Sequence, residues 1–148
     1  MKSIERPQLV IYTSLLILLA LIALIISMSG CVSERIEGNH ELATEQRATM
    51  PFSEVNSSGS FHVSIIPSRE TRLEVKAESN LLPYLVTQSN GTTLTLRFNE
   101  GYRIHEHYPV EIFVYTPDIQ SVRLSGSGNV ECGSFSPERM YVNISGSG

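Results

Sequence analysis

The sequence predicts an all-β fold of solenoid type, a β-helix whose coils turn at Gly-Ser-Gly corners, behind an N-terminal apolar helix. Three observations predict it. A phrase of apolar, polar, apolar, Ser, Gly, Ser, Gly occurs as Val122–Gly128 and returns twenty residues later as Val142–Gly148. A strand that ends in the same small-residue turn at a fixed period is the mark of stacked coils. Four further runs alternate apolar and polar residues with a period of two, as strands with one buried face do. Val, Ile, Leu, Thr and Ser dominate from Phe52 onward and Trp is absent, which favours strands and turns over helices.

In chain order, residues 1–30 read as a signal peptide or membrane anchor. Lys2 and Arg6 precede a stretch from Pro7 to Cys31 without a charged residue, and Leu9–Ile26 is nearly all apolar. A basic start, an apolar centre and small closing residues are the parts of a secretory signal. Ser29-Gly30-Cys31 resembles the lipobox of prokaryotic lipoproteins, with Met28 where Leu is commoner. That resemblance implies cleavage after Gly30 and a diacylglyceryl thioether on Cys31. An uncleaved signal anchor is the rival: a span needs about 20 apolar residues and a signal core about 7–15, and this stretch lies near the upper bound. Either mode tethers the remainder at a membrane of the cell envelope, facing outside the cytoplasm.

Residues 31–50 carry few large apolar side chains and several carboxylates (Glu34, Glu37, Glu41, Glu45), so a solvated polar tether is expected there. Residues 51–148 form the folded domain. Its strands follow from alternation at Phe61/Val63/Ile65, Leu73/Val75/Ala77, Leu94/Leu96/Phe98 and Val110/Ile112/Val114. Pro67–Glu70 turns between the first two. Asn90-Gly91 suits a type I′ hairpin pairing Leu85–Thr87 with Thr93–Thr95. Ser79–Tyr84 breaks the alternation and reads as a short helical turn plugging one end of the core. Gly59, Gly126, Gly128, Gly146 and Gly148 are the expected structural turns, because Gly permits positive φ and close backbone approach. Ser127 and Ser147 are expected to stack from coil to coil.

Without Lys2, Glu5 and Arg6 the chain holds nine basic against fourteen acidic residues. That excludes a phosphate-tracking nucleic-acid binder, which needs a basic patch. With only Cys31 and Cys132 there is no disulfide framework if Cys31 carries lipid, and Cys132 reads as a small buried hydrophobe.

His105 and His107, two apart on a strand, would face the same way and could meet one metal. No third ligand is apparent beside them, so an exposed polar connection is the better reading and no metal or cofactor is assigned. His40 falls in the tether and His62 on the polar face of its strand. No Gly-x-Ser-x-Gly elbow occurs, and no catalytic residue is assigned. A lyase or glycosidase needs two positioned carboxylates, for which Asp118, Glu111 and Glu131, with Arg123, are the nearest candidates.

Ser57-Ser58-Gly59-Ser60-Phe61-His62-Val63, Asn80-Leu81-Leu82-Pro83-Tyr84, Gly91-Thr92-Thr93-Leu94-Thr95-Leu96, Thr116-Pro117 and the two Ser-Gly-Ser-Gly turns occur in this order. Together they resemble the bacterial head GIN domain family of putative autotransporter adhesins, a domain of unknown function. The resemblance implies a right-handed parallel β-helix with no recognised catalytic residues and a role in cell adhesion. Family members usually carry more turn repeats, which implies a C-terminally truncated solenoid here or coils supplied by another subunit through the open end. The expectation is therefore a membrane-tethered, surface-exposed, non-enzymatic domain that binds a cell-surface glycan or protein or acts as an envelope scaffold. The alternative is a carbohydrate-active enzyme of the β-helix type.

Overall fold

The computed structural model describes residues 6–27, 33–136 and 139–147. They belong to two compact units, Met1–Ser33 and Glu34–Gly148. The first unit is a helix, α1 (Arg6–Ser27). No helix among the described residues is long and apolar enough to cross a membrane. Tyr12, Thr13 and Ser14 interrupt the apolar run carried by α1, and leave Leu15–Ile26 as its unbroken apolar stretch. The expected anchor helix is corrected accordingly. Gly30 and Cys31, expected to be the cleavage and lipidation positions, lie outside the described residues.

The second unit is built of strands: β1 (Glu34–Glu37), β2 (Leu42–Arg47), β3 (Glu54–Ser58), β4 (Phe61–Pro67), β5 (Arg72–Glu78), β6 (Leu85–Ser89), β7 (Thr93–Phe98), β8 (Tyr102–His105), β9 (Val110–Thr116), β10 (Ser121–Gly126), β11 (Asn129–Cys132) and β12 (Tyr141–Gly146). They form two five-stranded sheets, in the orders β12-β10-β3-β7-β6 and β11-β4-β9-β5-β2, and a small β1-β8 pair. One core joins the large sheets. Val55, Leu94, Leu96 and Val122 of the first pack with Phe61, Val63, Ile65, Leu73, Val75, Ile112 and Val114 of the second. Phe61 and Phe98 meet edge to face, with ring centroids 5.1 Å apart.

The fold is thus β-sandwich-like, with mixed sheets, and not a closed right-handed parallel β-helix or solenoid. The repeat does produce a parallel ladder: β10 pairs β12 with Val122 beside Val142 and Leu124 beside Ile144. β10 also pairs β3, β3 pairs β7, and β4 pairs β9 and β11, all in parallel. But β5 runs antiparallel to β9 and β2, and β6 antiparallel to β7. The turn after Ser89 sends the chain back beside β6, and the one after Pro67 reverses it into β5, which lies on the far side of β9 from β4. Alternation with period two is the same for either strand direction, so the alternating runs could not distinguish a coil from a sandwich.

Two local expectations also change. The β6–β7 hairpin pairs Thr87 with Leu96 and Ser89 with Leu94, a longer ladder than expected. Its corner is not type I′, since Gly91 has φ +90 while Asn90 does not have positive φ. Instead Asn90 Oδ1 accepts hydrogen bonds from the backbone N–H groups of Thr92 (3.0 Å) and Thr93 (2.8 Å). In the segment expected as a tether, residues 34–47 contain β1 and β2. β2 closes the second sheet by pairing Ala43 with Ala77 and Arg47 with Leu73.

The turn Leu82–Tyr84 is a short 3-10 helix with Leu82 buried. Arg47 secures it to β2, donating from Nη2 to the Leu82 carbonyl (2.6 Å) and from Nη1 to the Leu85 carbonyl (2.5 Å).

Candidate functional site

The Ser-Gly-Ser-Gly corners stack on one another. Gly59 N–H donates to the Ser125 carbonyl (3.0 Å) and Ser147 N–H to the Gly126 carbonyl (3.1 Å). Gly126 has φ +113, and a Cβ there would stand 2.8 Å from the Gly59 carbonyl oxygen. Gly146 (φ +139) sits on Gly126 in the same way, and Gly128 lies against the Phe61 backbone. The hydroxyls that meet are those of Ser58 and Ser125 (2.9 Å) rather than Ser127 and Ser147. Gly148 lies outside the described residues. These residues set the backbone spacing at this end of the domain.

Past the corners, the space between the ends of the two sheets is open and apolar. Leu124, Val130, Cys132, Met140, Val142 and Ile144 line a cleft of about 260 Å³. Leu124 is buried at its base, whereas Val142 and Ile144 on β12 are 60% and 56% exposed. Parallel pairing in register explains this. β12 repeats the inward-facing pattern of β10, but no described strand lies across from it. Cys132 faces the same cleft. Its thiol is pushed above its ordinary pKa by desolvation, which makes it a poor nucleophile.

A second constellation lies around the β1–β8 pair. Parallel pairing places Glu37 beside His105, and Gly38 N–H donates to the His105 carbonyl (2.9 Å). Glu78, at the end of β5, is completely buried. Its Oε1 accepts from His40 N–H (2.7 Å) and its Oε2 from His107 N–H (2.8 Å), and the His107 ring Nδ1 lies 3.3 Å from Oε1. Burial raises the Glu78 pKa, but the backbone N–H groups of His107 and His40 and the His107 ring outweigh it and leave the carboxyl below its ordinary value. His40 takes φ +60 to present its N–H, and its ring lies 3.8 Å from that of His107 between centroids. The donor atoms of Glu37, His105 and His107 lie within 4.8 Å of one another, as do those of His40, Glu78 and His107.

Spacing flagged His105 and His107. The sequence put His40 in a tether, and no local pattern marks Glu78 or Glu37 as their neighbours.

The carboxylates considered for catalysis divide between two surfaces. Glu111 and Glu131 line one shallow cleft of about 190 Å³ with His62, and Glu111 is paired with Lys76 Nζ at 2.8 Å. Asp118 lines a different hollow, with Glu54 and Arg139. Arg123 is exposed and lines neither.

The model of the family described as "Putative auto-transporter adhesin, head GIN domain" matches residues 51–148. Among solved structures, a putative lipid binding protein from Parabacteroides distasonis is 24% identical with a TM-score of 0.68, over 75% of this chain and 49% of that one. A putative adhesin from Parabacteroides merdae is 19% identical with a TM-score of 0.69, over 75% of this chain and 47% of that one. A putative adhesin from Bacteroides fragilis is 15% identical with a TM-score of 0.68, over 75% of this chain and 53% of that one. At these identities the likeness is one of fold, and the chain spans about half the length of the proteins it resembles. No curated protein matches.

Proposed function

The chain belongs to the head GIN domain family of putative auto-transporter adhesins, and from that premise we propose a non-enzymatic, adhesin-type binding domain of the cell surface or envelope. The observation that carries the reading is the open apolar cleft between the sheet ends, with Val142 and Ile144 on its rim. The occupant that suits it is a lipid acyl chain. The lining is aliphatic, thioether and thiol with Asn129 as its one amide, and it contains no charged group. Exposed apolar area of this kind marks binding surfaces, and each aliphatic side chain fully covered contributes about 1.5–3 kcal/mol. The fold-level likeness to a putative lipid binding protein supports the same chemistry.

Attachment through a lipid on Cys31 completes the proposal, supported by the uncharged stretch Pro7–Cys31 and the small residues before the Cys. Metabolic palmitate labelling tests it: label in the wild type and none in Cys31→Ala is expected, and label persisting in Cys31→Ala overturns it.

For the cleft, the assay is displacement of a fluorescent fatty acid from the purified chain. Val142→Asp and Ile144→Asp, both on an exposed edge strand, should each weaken binding about tenfold or more. Equal affinity in both variants and the wild type sinks the acyl-chain reading. Product released from a polysaccharide, and lost in Glu131→Gln, would overturn the non-enzymatic reading in favour of a carbohydrate-active enzyme.

A further inference from the structure

We propose that Glu37, His105 and His107 form a binding site for a zinc-class divalent cation, with the buried Glu78 carboxylate holding the His107 ring in place. Three of the four histidines of the chain gather here. The rings of His105 and His107 lie 5.5 Å apart between centroids, and their donor atoms and a Glu37 oxygen all lie within 4.8 Å of one another. A tetrahedral cation with ligand bonds of about 2.0–2.2 Å needs donors about 3.4 Å apart. All three residues are exposed, so a small rotation of each side chain closes the difference. Two imidazoles and a carboxylate, with a position left for water, suit zinc and its neighbours better than magnesium or calcium, which prefer all-oxygen shells.

Glu78 distinguishes this cluster from a chance meeting of surface histidines. An ionised carboxylate can only accept hydrogen bonds, so the ring nitrogen facing it, His107 Nδ1, carries the proton. The lone pair is then on Nε2, free for a metal. Ligating histidines are held in this way by a carboxylate behind the ring. Glu78 is itself fixed by the N–H groups of His40 and His107, and the Gly38 backbone packs against its carboxylate with no space for a Cβ. Glu78 is therefore a positioning residue, and its bonds are already taken. Among the described residues, the charge that competes for Glu37 is Arg35, 3.5 Å away in an exposed pair. Such pairs contribute little, so a cation displaces Arg35 readily. His40, stacked on His107, is the nearest further donor.

A bound cation would cross-link β1, β8 and the segment after β8, where the β1–β8 ladder is only four residue pairs long. The test is equilibrium dialysis of the full-length chain against zinc chloride, with Co²⁺ absorption as a second readout. One equivalent per chain is expected, and saturating zinc should raise the melting temperature by about 8–16 °C at a hundredfold excess over Kd. Glu37→Gln and His105→Gln, both at exposed positions, should each weaken binding at least about tenfold. His62→Gln, on β4 outside the cluster, should leave it unchanged. Glu78→Gln should shift the Co²⁺ band while circular dichroism stays that of the wild type, and an unchanged band in a folded Glu78→Gln chain removes its positioning role. Less than half an equivalent bound overturns the site, as does binding that survives both Glu37→Gln and His105→Gln or is lost in His62→Gln.

Discussion

Arg47→Met should destabilise the strand domain by about 2–4 kcal/mol. Arg47 lies at the end of β2, and its side chain is only 16% exposed. The guanidinium donates to the carbonyls of Leu82 and Leu85 and to Thr87 Oγ1 (3.1 Å), joining β2 to the 3-10 turn and to β6. Hydrogen bonds to a charged donor contribute about 1.5–3 kcal/mol each, so two carbonyls set a ceiling of about 6. The Leu82 carbonyl retains a second donor, the Leu85 N–H, and Met replaces most of the aliphatic packing of the stem, which brings the figure down. The fourth contact, to the half-exposed Glu45 at 3.1 Å, adds little because the pair is screened. Lys cannot span the same acceptors, since its ammonium is a point donor and not a planar fork, so Arg47→Lys should recover less than half of the loss. Urea denaturation with an unchanged m-value reads the difference directly. For a domain of this size the melting temperature falls by about 3–6 °C per kcal/mol. A change below about 0.5 kcal/mol in Arg47→Met, or full stability in Arg47→Lys, would refute the reasoning and leave β2 a loosely attached edge.

Gly126→Ala combines a side chain at φ +113 with a Cβ pressed on the Gly59 carbonyl. The expected loss by denaturant titration is about 2–4 kcal/mol, against about 1 kcal/mol or less for Ser125→Ala in the same turn, which loses one exposed hydroxyl pair. Ser57 is fully buried on β3 and its Oγ has no hydrogen-bond partner among the described residues. Ser57→Ala should therefore be neutral or stabilising by up to about 1 kcal/mol, and a destabilisation above that in a thermal melt contradicts the orphaned hydroxyl. Because the Glu78 pKa is lowered in the folded state, its contribution is full above the ordinary carboxylate value of 4.5 and is lost as pH falls through the lower folded value. With chelator present, the wild type should lose more melting temperature than Glu78→Gln between about pH 5 and pH 3; parallel losses count against it.

Much of the second unit was legible in local pattern. Period two along Phe61–Ile65, Leu73–Ala77, Leu94–Phe98 and Val110–Val114 named the inward side chains, because a strand with one wet face must alternate. The twenty-residue echo marked β10 and β12 as parallel neighbours, since equal spacing between matched strand and corner lets one ladder register serve both. Membership of the head GIN family was legible for a related reason. Turn residues such as Gly59, Asn90-Gly91 and the Ser-Gly-Ser-Gly corners are constrained by backbone geometry, so their order survives as a signature.

Tertiary structure alone decided the rest. Strand direction leaves no trace in alternation, so β5 and β6 could run antiparallel and turn an expected coil into two mixed sheets. β2 was hidden because the apolar side chain it packs on the core is the small Ala43, and its fastening is a guanidinium on backbone carbonyls, which reads in sequence as an ordinary surface charge. The histidine cluster was half visible. Spacing singled out His105 and His107, although β8 ends at His105 and His107 lies in the segment beyond it, and Glu37, His40 and Glu78 reach them only through a ladder and hydrogen bonds that join residues 29 to 68 positions apart. Sequence reports what a residue must be locally; only folding reports which distant residues its side chain meets, because that depends on the register and direction of every strand between them.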